Sequence, residues 1–291
     1  MRGKRNFPNF ACEIINIATN MKKALFASFF CCALSMAPLT LMAQHKVVAH
    51  RGYWKAEGSA QNSLASLRKA AEVGCYGSEI DVYRTIDGVL VVNHDNKIDD
   101  VRIEDTTYPN LQYRRLANGE YLPTLIQYLQ EGARYPQMKI VLEIKSHRDA
   151  AREQQVTDDI VKLVHDLGLQ QQVEYIAFSR VVCARVYEVD PQAKIAYLNG
   201  DLSPQEVKNL GWTGIDYEKG VFQRNPSWSR EAKELGLEVN VWTLRGEDDI
   251  KAHQTDPNID LFTTDDPDVA LRLTQPVEET PKDKKSKKKS K

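Results

Sequence analysis

Two short stretches of the chain carry ionisable side chains two residues apart, in a background of apolar residues. Glu79 and Asp81 form one pair, and Glu143 and Lys145 form the other. Residues two apart on a β-strand point to the same face, so these side chains would share one cavity while their apolar neighbours pack outward. Three carboxylates in one small cavity need a compensating positive charge. Because the donors are all oxygen atoms, we predict one divalent cation, Mg²⁺ or Ca²⁺, as the cofactor. Ordinary salt bridges from Arg51 and Lys145 to these acids are the structural alternative.

Basic and imidazole side chains elsewhere in the chain could act on a phosphate beside such a cation. His50 and Arg51 end an apolar run at Lys46–Ala49, and His94 follows another. Arg51 and Lys145 supply fixed positive charges that can hold an anion and stabilise charge developing in phosphoryl transfer. The imidazoles of His50 and His94 titrate near neutrality and can serve as general base and general acid. The remaining histidines are expected on the surface or on helices: His45, His147, His165 and His253.

Short β-rich runs alternate with helical patterns through the body of the chain, which is typical of a (β/α)8 TIM barrel. The predicted strands are Lys46–Ala49, Ser78–Val82, Ile140–Ile144, Val173–Phe178, Lys194–Leu198, Gly214–Tyr217, Glu238–Thr243 and Asp260–Thr264. The predicted helices are Ser63–Val73, Thr124–Tyr135, Arg152–Leu167, Val181–Val189, Pro204–Asn209, Ser227–Leu235, Asp248–His253 and Asp268–Leu273. In this fold the carboxyl ends of the strands form the active site, and the side chains above fall there. A doubly wound open sheet is the alternative, but no glycine-rich dinucleotide loop follows the first strand.

A small hairpin and loop insertion interrupts the alternation after the second strand. Asp87-Gly88 separates two β-rich runs and predicts a tight hairpin turn. The polar, irregular sequence up to residue 123 follows before the next helix. We interpret residues 84–123 as an excursion above the second strand that returns His94 to the mouth of the barrel.

The charge of the 291-residue chain is unevenly distributed, although its formal net charge is −1. Residues 44–275 carry a net charge of −9, whereas residues 1–43 and 276–291 each carry +4. An acidic body argues against nucleic-acid binding and leaves room for a cation. The composition, 42% apolar and 27% charged, excludes a disordered chain and a polytopic membrane protein. No obligate protein partner is indicated, and the expected partner is a small-molecule substrate.

The two ends of the chain have the composition of a leader and a tail. Lys22 and Lys23, an apolar run and Ala43 predict a signal peptide over residues 21–43, after an upstream extension at 1–20. An uncleaved membrane anchor is the alternative. Cleavage before Gln44 would export the body, over 44–275, to a bacterial periplasm or the medium. The lysine-rich tail at 276–291 is predicted to be disordered, and it could contact an anionic membrane surface. Of five cysteines, cleavage leaves Cys75 and Cys183, expected to be buried and unpaired.

A series of short motifs in fixed order resembles the glycerophosphodiester phosphodiesterase family of the phospholipase-C-like phosphodiesterases. The motifs are His50-Arg51-Gly52, Gln61-Asn62-Ser63, Gly-x-x-Gly-x-Glu-x-Asp-Val at 74–82, Thr85-x-Asp-Gly88, Val91-Val92-x-His-Asp95, Leu142-Glu-Ile-Lys145, Val241-Trp-Thr243 and Thr264-Asp-Asp-Pro267. A lone His-Arg-Gly is a weak signal, whereas these motifs in order cover residues 45–273.

The resemblance implies a TIM-barrel hydrolase that splits glycerophosphodiesters into glycerol 3-phosphate and an alcohol. By position, it implies that Glu79, Asp81 and Glu143 hold the metal, that His50 and His94 are the acid and base, and that Arg51 and Lys145 bind the phosphate. It also implies that a glycerol hydroxyl beside the phosphate attacks phosphorus while bound to the metal, through a cyclic phosphate that water then opens. Trp242 could pack on the glycerol or could be an ordinary aromatic residue of the barrel.

One departure from the family pattern and two other functions remain open. The family usually has Pro-Glu-Asn-Thr where this chain has Ala60-Gln61-Asn62-Ser63, so any role of that glutamate is in doubt. Asn62 or Ser63 can still cap the next helix. A phospholipase-like phosphodiesterase acting on intact lipid is one alternative function, and a non-catalytic phosphodiester-binding barrel is the other.

Overall fold

Eight parallel strands close into a barrel in the computed structural model, which describes residues 45–274. The strands in chain order are β1 (Lys46–Ala49), β2 (Gly77–Arg84), β3 (Leu90–Val92), β4 (Lys97–Ile98), β5 (Val101–Arg102), β6 (Lys139–Ile144), β7 (Val173–Ala177), β8 (Ile195–Tyr197), β9 (Gly214–Glu218), β10 (Glu238–Leu244) and β11 (Leu261–Thr264). Because β1 pairs in parallel with both β2 and β11, the sheet has no free edge between them. The predicted TIM barrel is confirmed, and the open sheet is wrong. The predicted extension, leader and tail lie outside the described residues.

Helices between the barrel strands cover the outside of the sheet. They are α1 (Leu64–Glu72), α2 (Leu125–Gly132), α3 (Ala150–Asp166), α4 (Arg180–Val189), α5 (Pro204–Asn209), α6 (Lys219–Arg224), α7 (Trp228–Glu234), α8 (Gly246–His253) and α9 (Pro267–Thr274). All eight predicted helices are present, and α6 is an addition that directly follows β9. Several begin at a capping side chain, as Ser63 Oγ accepts a hydrogen bond from the Ser66 N–H at 3.0 Å. No helix within residues 45–274 is both long and apolar enough to span a bilayer.

Side chains that point into the barrel form layers contributed by alternate strands, as expected for this fold. The strand register places Val48, Val141, Ala196 and Asn240 in a lower layer, Glu79, Ile176, Asp216 and Thr263 in a middle layer, and His50, Glu143, Leu198 and Trp242 in an upper layer. The outward side chains of the same strands join the main core beneath the helices. The ionisable side chains of these three layers therefore lie in the middle and upper layers, nearer the carboxyl ends of the strands, where the predicted site lies.

The excursion after β2 is built as predicted at its start and has more regular structure than expected beyond it. β3 pairs antiparallel with β2, with Tyr83 opposite Val91, and Gly88 takes a φ of +95° in the turn. The hairpin β4–β5 and two single-turn 3-10 helices, at Ile103–Asp105 and Tyr108–Asn110, occupy the stretch that we expected to be irregular. A separate apolar cluster, named here the satellite core, holds the excursion together: Tyr83, Val91, Ile98, Ile103, Leu111 and Leu122.

Two expectations about single residues have different outcomes. Cys75 and Cys183 are buried and unpaired, as predicted. The prediction for the remaining histidines is wrong for His45 and His147, which are buried. Both ring nitrogens of His147 are hydrogen-bonded, since Nδ1 lies 2.7 Å from the Lys145 carbonyl oxygen and Nε2 accepts the Arg84 N–H at 3.2 Å. The spacing of apolar residues indicates which face of an element is buried, but it does not show which hydrogen-bond partners a buried histidine has.

Candidate active site

The eight side chains singled out from the sequence meet at the carboxyl end of the barrel. Seven of them line one cavity of about 230 Å³, and Asp81 lies behind it in contact with Lys145. The seven are His50, Arg51, Glu79, His94, Glu143, Lys145 and Trp242. They come from β1, β2, β6, β10 and the excursion after β3, so only closure of the barrel brings them together.

The three carboxylates form a compact buried group. Glu79, Asp81 and Glu143 each offer one oxygen, and these oxygens lie within 4.8 Å of one another. Glu79 Oε2 accepts a hydrogen bond from the Arg51 N–H at 2.7 Å, and Asp81 Oδ2 accepts one from Asn62 Nδ2 at 2.8 Å. These bonds orient the carboxylates while leaving other oxygens directed at one another. Oxygen donors in this arrangement are suited to a hard divalent cation.

Lys145 compensates only part of the negative charge. Its Nζ lies 3.2 Å from Asp81 Oδ1 and 2.9 Å from Glu143 Oε1. Arg51 Nε lies 3.9 Å from Asp81 Oδ2, so the salt-bridge alternative is realised for both basic residues. Burial and the neighbouring carboxylates nevertheless raise the pKa of Glu143 to about 8 and that of Glu79 well above its ordinary value. Burial opposes ionisation of Asp81 too, but Lys145, His94 and other positive neighbours outweigh it and lower its pKa. In the absence of a cation Glu79 and Glu143 therefore favour their protonated forms, and a divalent cation would compensate the charge of their ionised forms.

His50 is held by an acidic residue that we did not single out. Its Nδ1 lies 2.7 Å from Asp265 Oδ1, and the same carboxylate accepts hydrogen bonds from Trp54 Nε1 at 3.3 Å and Arg245 Nε at 2.9 Å. A carboxylate at Nδ1 favours the tautomer with hydrogen on that nitrogen, which leaves Nε2 for proton exchange. Burial alone would raise the pKa of Asp265, but the hydrogen bonds from His50 and Trp54 outweigh burial and lower the pKa to about 2.

His94 reaches the cavity from the excursion. Asn93 donates its N–H to the Asp81 carbonyl oxygen at 3.0 Å, which ties the excursion to β2 beside the carboxylates. His94 Nδ1 lies 2.8 Å from Asp95 Oδ1, and its side chain is 36% exposed. Burial, together with the positive charges of Lys145 and Arg51, lowers its pKa. The imidazole is therefore mainly neutral at pH 7, the form that can accept a proton.

The turn after β1 positions Arg51 and requires a glycine at position 52. Arg51 has a φ of +57°, which turns its N–H toward Glu79. A Cβ at Gly52 would lie 2.2 Å from Ser66 Oγ, so only glycine fits against α1. Arg51 Nη1 donates to Gln61 Oε1 at 2.8 Å. Gln61, the residue that departs from the family pattern, thus contacts the arginine through a neutral amide.

The residues beside Gln61 divide two roles between them. Ser63 caps α1, and Asn62, with a φ of +60°, turns its side chain to Asp81. The expectation of a cap from Asn62 or Ser63 is confirmed for Ser63. Asn62 instead orients a carboxylate, which the sequence analysis did not predict.

The wall of the cavity opposite the carboxylate group is mostly apolar. It is formed by Ile176, Phe178, Leu198 and Trp242, with one acidic residue, Asp216. The Phe178 and Trp242 rings pack edge to face with centroids 5.7 Å apart, and Trp242 Nε1 donates to the Asp216 carbonyl oxygen at 2.9 Å. The cavity therefore has a charged half and an apolar half.

The cavity residues that the sequence analysis missed had weak signals. Asp265 lies in the motif Thr264-Asp-Asp-Pro267 at the end of the last strand, so its position could have marked it as a site residue. Asp216 is a single inward acid on β9, and nothing in the sequence pairs it with another group. Arg245 follows β10 and reaches the cavity through its bond to Asp265.

Comparison with known proteins identifies the family. The profile of the Glycerophosphoryl diester phosphodiesterase family matches residues 50–269. The chain belongs to this family. The match begins at His50 and includes every residue of the site described above. The predicted class of enzyme, a hydrolase of phosphodiesters, is thereby confirmed.

Individual relatives agree with this assignment. A glycerophosphodiester phosphodiesterase of Caldanaerobacter subterraneus is 24% identical over 243 residues, which are 79% of this chain and 97% of that protein. The crystal structure of a glycerophosphodiester phosphodiesterase from Parabacteroides distasonis is 42% identical with a TM-score of 0.78, covering 80% of this chain and 97% of that one. A phosphodiesterase from Oleispira antarctica, solved with the product sn-glycerol-3-phosphate, shares the fold at 21% identity and a TM-score of 0.65, over 78% of this chain and 95% of that one.

Proposed function

We propose that this phosphodiesterase hydrolyses glycerophosphodiesters to glycerol 3-phosphate and an alcohol, with a divalent cation, Mg²⁺ or Ca²⁺, and with His50 and His94 as the acid–base pair. The observation that carries the proposal is the group of three buried carboxylates within 4.8 Å of one another, in a cavity that also holds two imidazoles and two basic side chains. The product bound to the Oleispira phosphodiesterase is the one that this reaction would release.

The residues of the charged half divide into a cation site and a phosphate site. Glu79, Asp81 and Glu143 would hold the cation, which when bound supplies Lewis acidity and neutralises phosphate charge. Arg51 would bind the phosphate oxygens. Lys145, now in contact with Asp81 and Glu143, would share its positive charge with the phosphate.

The two histidines would move protons in both halves of the reaction. In the first, the glycerol hydroxyl beside the phosphate attacks phosphorus and gives its proton to His94, whose lowered pKa favours the neutral form. The bond from phosphorus to the alcohol oxygen breaks, and His50 Nε2 gives that oxygen a proton. A cyclic phosphate of glycerol results. Water then adds to phosphorus and one ring P–O bond breaks, with the histidines in reversed roles, giving glycerol 3-phosphate.

Attack by a neighbouring hydroxyl has a physical advantage over direct attack by water. The nucleophile is already part of the substrate, so bringing it to phosphorus costs little translational entropy. The enzyme would then need to hold one substrate in one orientation, and a cavity with a charged half and an apolar half is suited to do so.

A substrate panel tests the proposal. Glycerophosphocholine, glycerophosphoethanolamine and glycerophosphoinositol would each be assayed with coupled detection of glycerol 3-phosphate, with and without Mg²⁺ or Ca²⁺. Intact phosphatidylcholine would be assayed under the same conditions by release of choline or phosphocholine. We expect glycerol 3-phosphate from the soluble diesters only when the cation is present. Cleavage of the intact lipid alone would support the phospholipase alternative, and binding without release would support the binding barrel.

We also propose that the protein is exported through the predicted leader at residues 21–43. The support is the pattern Lys22-Lys23, an apolar run and Ala43. Mass spectrometry of the protein recovered from the producing cell should find Gln44 at the amino terminus. An amino terminus at Met1 or Met21 would contradict the proposal.

A further inference from the structure

A buried carboxyl group lies across the cavity from the carboxylate group and has no part in the reaction proposed above. Asp216 is on β9, the sixth strand around the barrel, opposite β2, the second. The register places it in the same layer as Glu79, and it is 2% exposed. Its Oδ2 accepts a hydrogen bond from Asn240 Nδ2 at 3.1 Å. Within residues 45–274, its Oδ1 has no hydrogen-bond partner, and the group has no cationic side chain in ion-pair contact.

An unpaired buried acceptor is costly unless something satisfies it. Leaving one unsatisfied destabilises the folded protein, and an apolar residue like Ile176 in the same layer would avoid that cost. Burial raises the pKa of Asp216 to about 7. Asn240 Nδ2 also donates to Thr263 Oγ1 at 2.8 Å, and Asp216 and Asn240 both line a separate cavity of about 20 Å³ below. Asp216 also lines the main cavity, so its unpartnered carboxyl oxygen is a candidate acceptor for a donor bound there.

The charge of the cavity decides which part of a substrate could lie beside Asp216. Arg51 and Lys145 are on the opposite wall, so a phosphate has no counter-charge near Asp216 and would be repelled by it. A neutral group with a hydrogen-bond donor and an apolar face suits this half. The Trp242 ring, held by its bond to the Asp216 carbonyl oxygen, and Phe178 provide the apolar surface.

Of the two arms of a glycerophosphodiester, glycerol is the one that would lie in the enclosed half. Its reacting hydroxyl must stay beside phosphorus, whereas the alcohol arm leaves. The open mouth, where His94 is 36% exposed and Arg245 is 62% exposed, offers the alcohol its exit. We propose that Asp216 is a specificity-determining residue whose Oδ1 accepts a hydrogen bond from the terminal hydroxyl of the substrate's glycerol arm. This inference rests on the proposed function.

The assignment explains how the enzyme would tell glycerol from other diols. A buried site built to bind a hydroxyl rejects an analogue that lacks it, because the protein group is then left unpaired. The terminal hydroxyl takes no part in the chemistry, so its recognition would act on specificity. The alcohol, which has no corresponding buried partner in this assignment, could vary.

A comparison of two substrates that differ in this hydroxyl tests the assignment. One is glycerophosphoethanolamine, and the other is its analogue with propane-1,2-diol in place of glycerol, which keeps the attacking hydroxyl and lacks the terminal one. Ethanolamine release would be measured with the cation-loaded full chain. We expect wild-type kcat/KM to favour the glycerol substrate by ~100-fold or more. In Asp216→Ala the preference should fall to about fivefold or less, while the analogue is cleaved within about threefold of the wild-type rate.

Control variants separate specificity from folding. Ile176→Val, in the same layer, should change both substrates by the same factor and keep the preference. Asp216→Asn keeps the shape and one acceptor, so it should show an intermediate preference even if the alanine variant does not fold.

Three results would overturn the assignment. The first is a wild-type preference for the glycerol substrate below about threefold. The second is an equal loss of kcat/KM on both substrates in Asp216→Ala and Asp216→Asn. The third is a preference that changes when the ethanolamine of the alcohol arm is replaced by propanol. Failure of the proposed function would look different, since the wild type would then release no glycerol 3-phosphate from any soluble diester.

Discussion

At the scale of single residues, the two histidines differ in what holds them. His50 is oriented by Asp265, which also binds Trp54 and Arg245, whereas within residues 45–274 the imidazole of His94 has one hydrogen-bond partner, the exposed Asp95, at Nδ1. A catalytic imidazole needs both a fixed tautomer and a suitable pKa. The tautomer of His50 is fixed by the hydrogen-bonded carboxylate of Asp265. The pKa of His94 is lowered by burial and by positive neighbours.

Removing either imidazole should stop most of the turnover. We expect His50→Ala and His94→Ala each to lower kcat by ~100-fold or more, because each removes one proton transfer. Steady-state kinetics on glycerophosphoethanolamine measures the loss. His165→Ala, on an exposed histidine of α3, is the matched control and should stay within about twofold. A His50 or His94 variant with near wild-type kcat would remove that residue from the mechanism.

Asp265 should act through His50. Asp265→Asn keeps the shape but removes the carboxylate that favours hydrogen on Nδ1, so kcat should fall by ~10- to 100-fold with little change in KM. The pH profile of kcat should shift in this variant, which a purely structural role would not cause. In a His50→Ala background, Asp265→Asn should cause almost no further fall in kcat. Additive losses in the double variant would contradict the coupling.

The amide at Gln61 should matter little to catalysis. It contacts Arg51 at an exposed position, where an added charge pair is worth about 1 kcal/mol or less. We expect Gln61→Glu, the residue usual in the family, to change KM by about threefold at most through competition for Arg51, with kcat unchanged. Kinetics at two salt concentrations checks this, because a surface charge effect weakens with salt. A large gain in kcat would show that the family's glutamate has a role that this chain lacks.

At the scale of elements, the excursion is the part of the fold that brings His94 to the barrel. The satellite core is small, and Ile103 is fully buried in it. Glu120, near the end of the excursion, accepts hydrogen bonds from the Leu64 and Ala65 N–H groups at 2.9 and 3.2 Å and so caps α1 from outside. The excursion is therefore anchored at both ends, with its apolar cluster between them.

Weakening the satellite core should affect catalysis more than the barrel. Ile103→Ala should destabilise the excursion by about 3 kcal/mol, because it leaves a cavity in a cluster that has little else to repack. We expect kcat to fall at least ~10-fold through His94, with cation binding unchanged because the carboxylates lie on β2 and β6. The matched control is Ile160→Ala on α3, fully buried in the main core, which should lower Tm without a selective loss of kcat. Equal effects from both variants would show that the excursion is not a separate unit.

At the scale of the whole molecule, the acidic site couples stability to pH and to the cation. In the absence of a cation, the folded protein keeps a proton on Glu143 up to a pKa of about 8, whereas the unfolded chain releases it near the ordinary value of 4.5. Since the folded state then binds more protons, its stability falls as pH rises between those values. A cation would bind the ionised carboxylates, so its stabilisation should grow over the same interval.

Chelation experiments check this coupling. After treatment with EDTA, Tm should fall from pH 5 to pH 8 and activity should be absent. Adding Mg²⁺ or Ca²⁺ should raise Tm more at pH 8 than at pH 5, as measured by calorimetry. Glu143→Gln should flatten the pH dependence. Full activity after exhaustive chelation would contradict the cation assignment.

The sequence by itself determined the barrel and most of the site. Alternating strand and helix patterns predicted a (β/α)8 closure, and the two-residue spacing of Glu79–Asp81 and Glu143–Lys145 placed each pair on one face, because side-chain direction on a strand has a period of two. These are local properties, which a chain carries in its order of residues. The same reasoning left the two 3-10 turns of the excursion, α6 and the buried state of His147 unpredicted, since each depends on contacts with distant segments.

Only the tertiary structure decided how distant residues are paired. Asp265 meets His50 across 215 positions of the chain because β11 closes against β1, and Lys145 meets Asp81 because β6 lies beside β2. Asp216 faces Glu79 because the shear of the barrel sets both in one layer. Hydrogen bonding and pKa depend on these distances and on burial, neither of which a one-dimensional pattern contains. The chain's sequence therefore specifies which groups can line the site, and its closure into a barrel specifies which partner each group has.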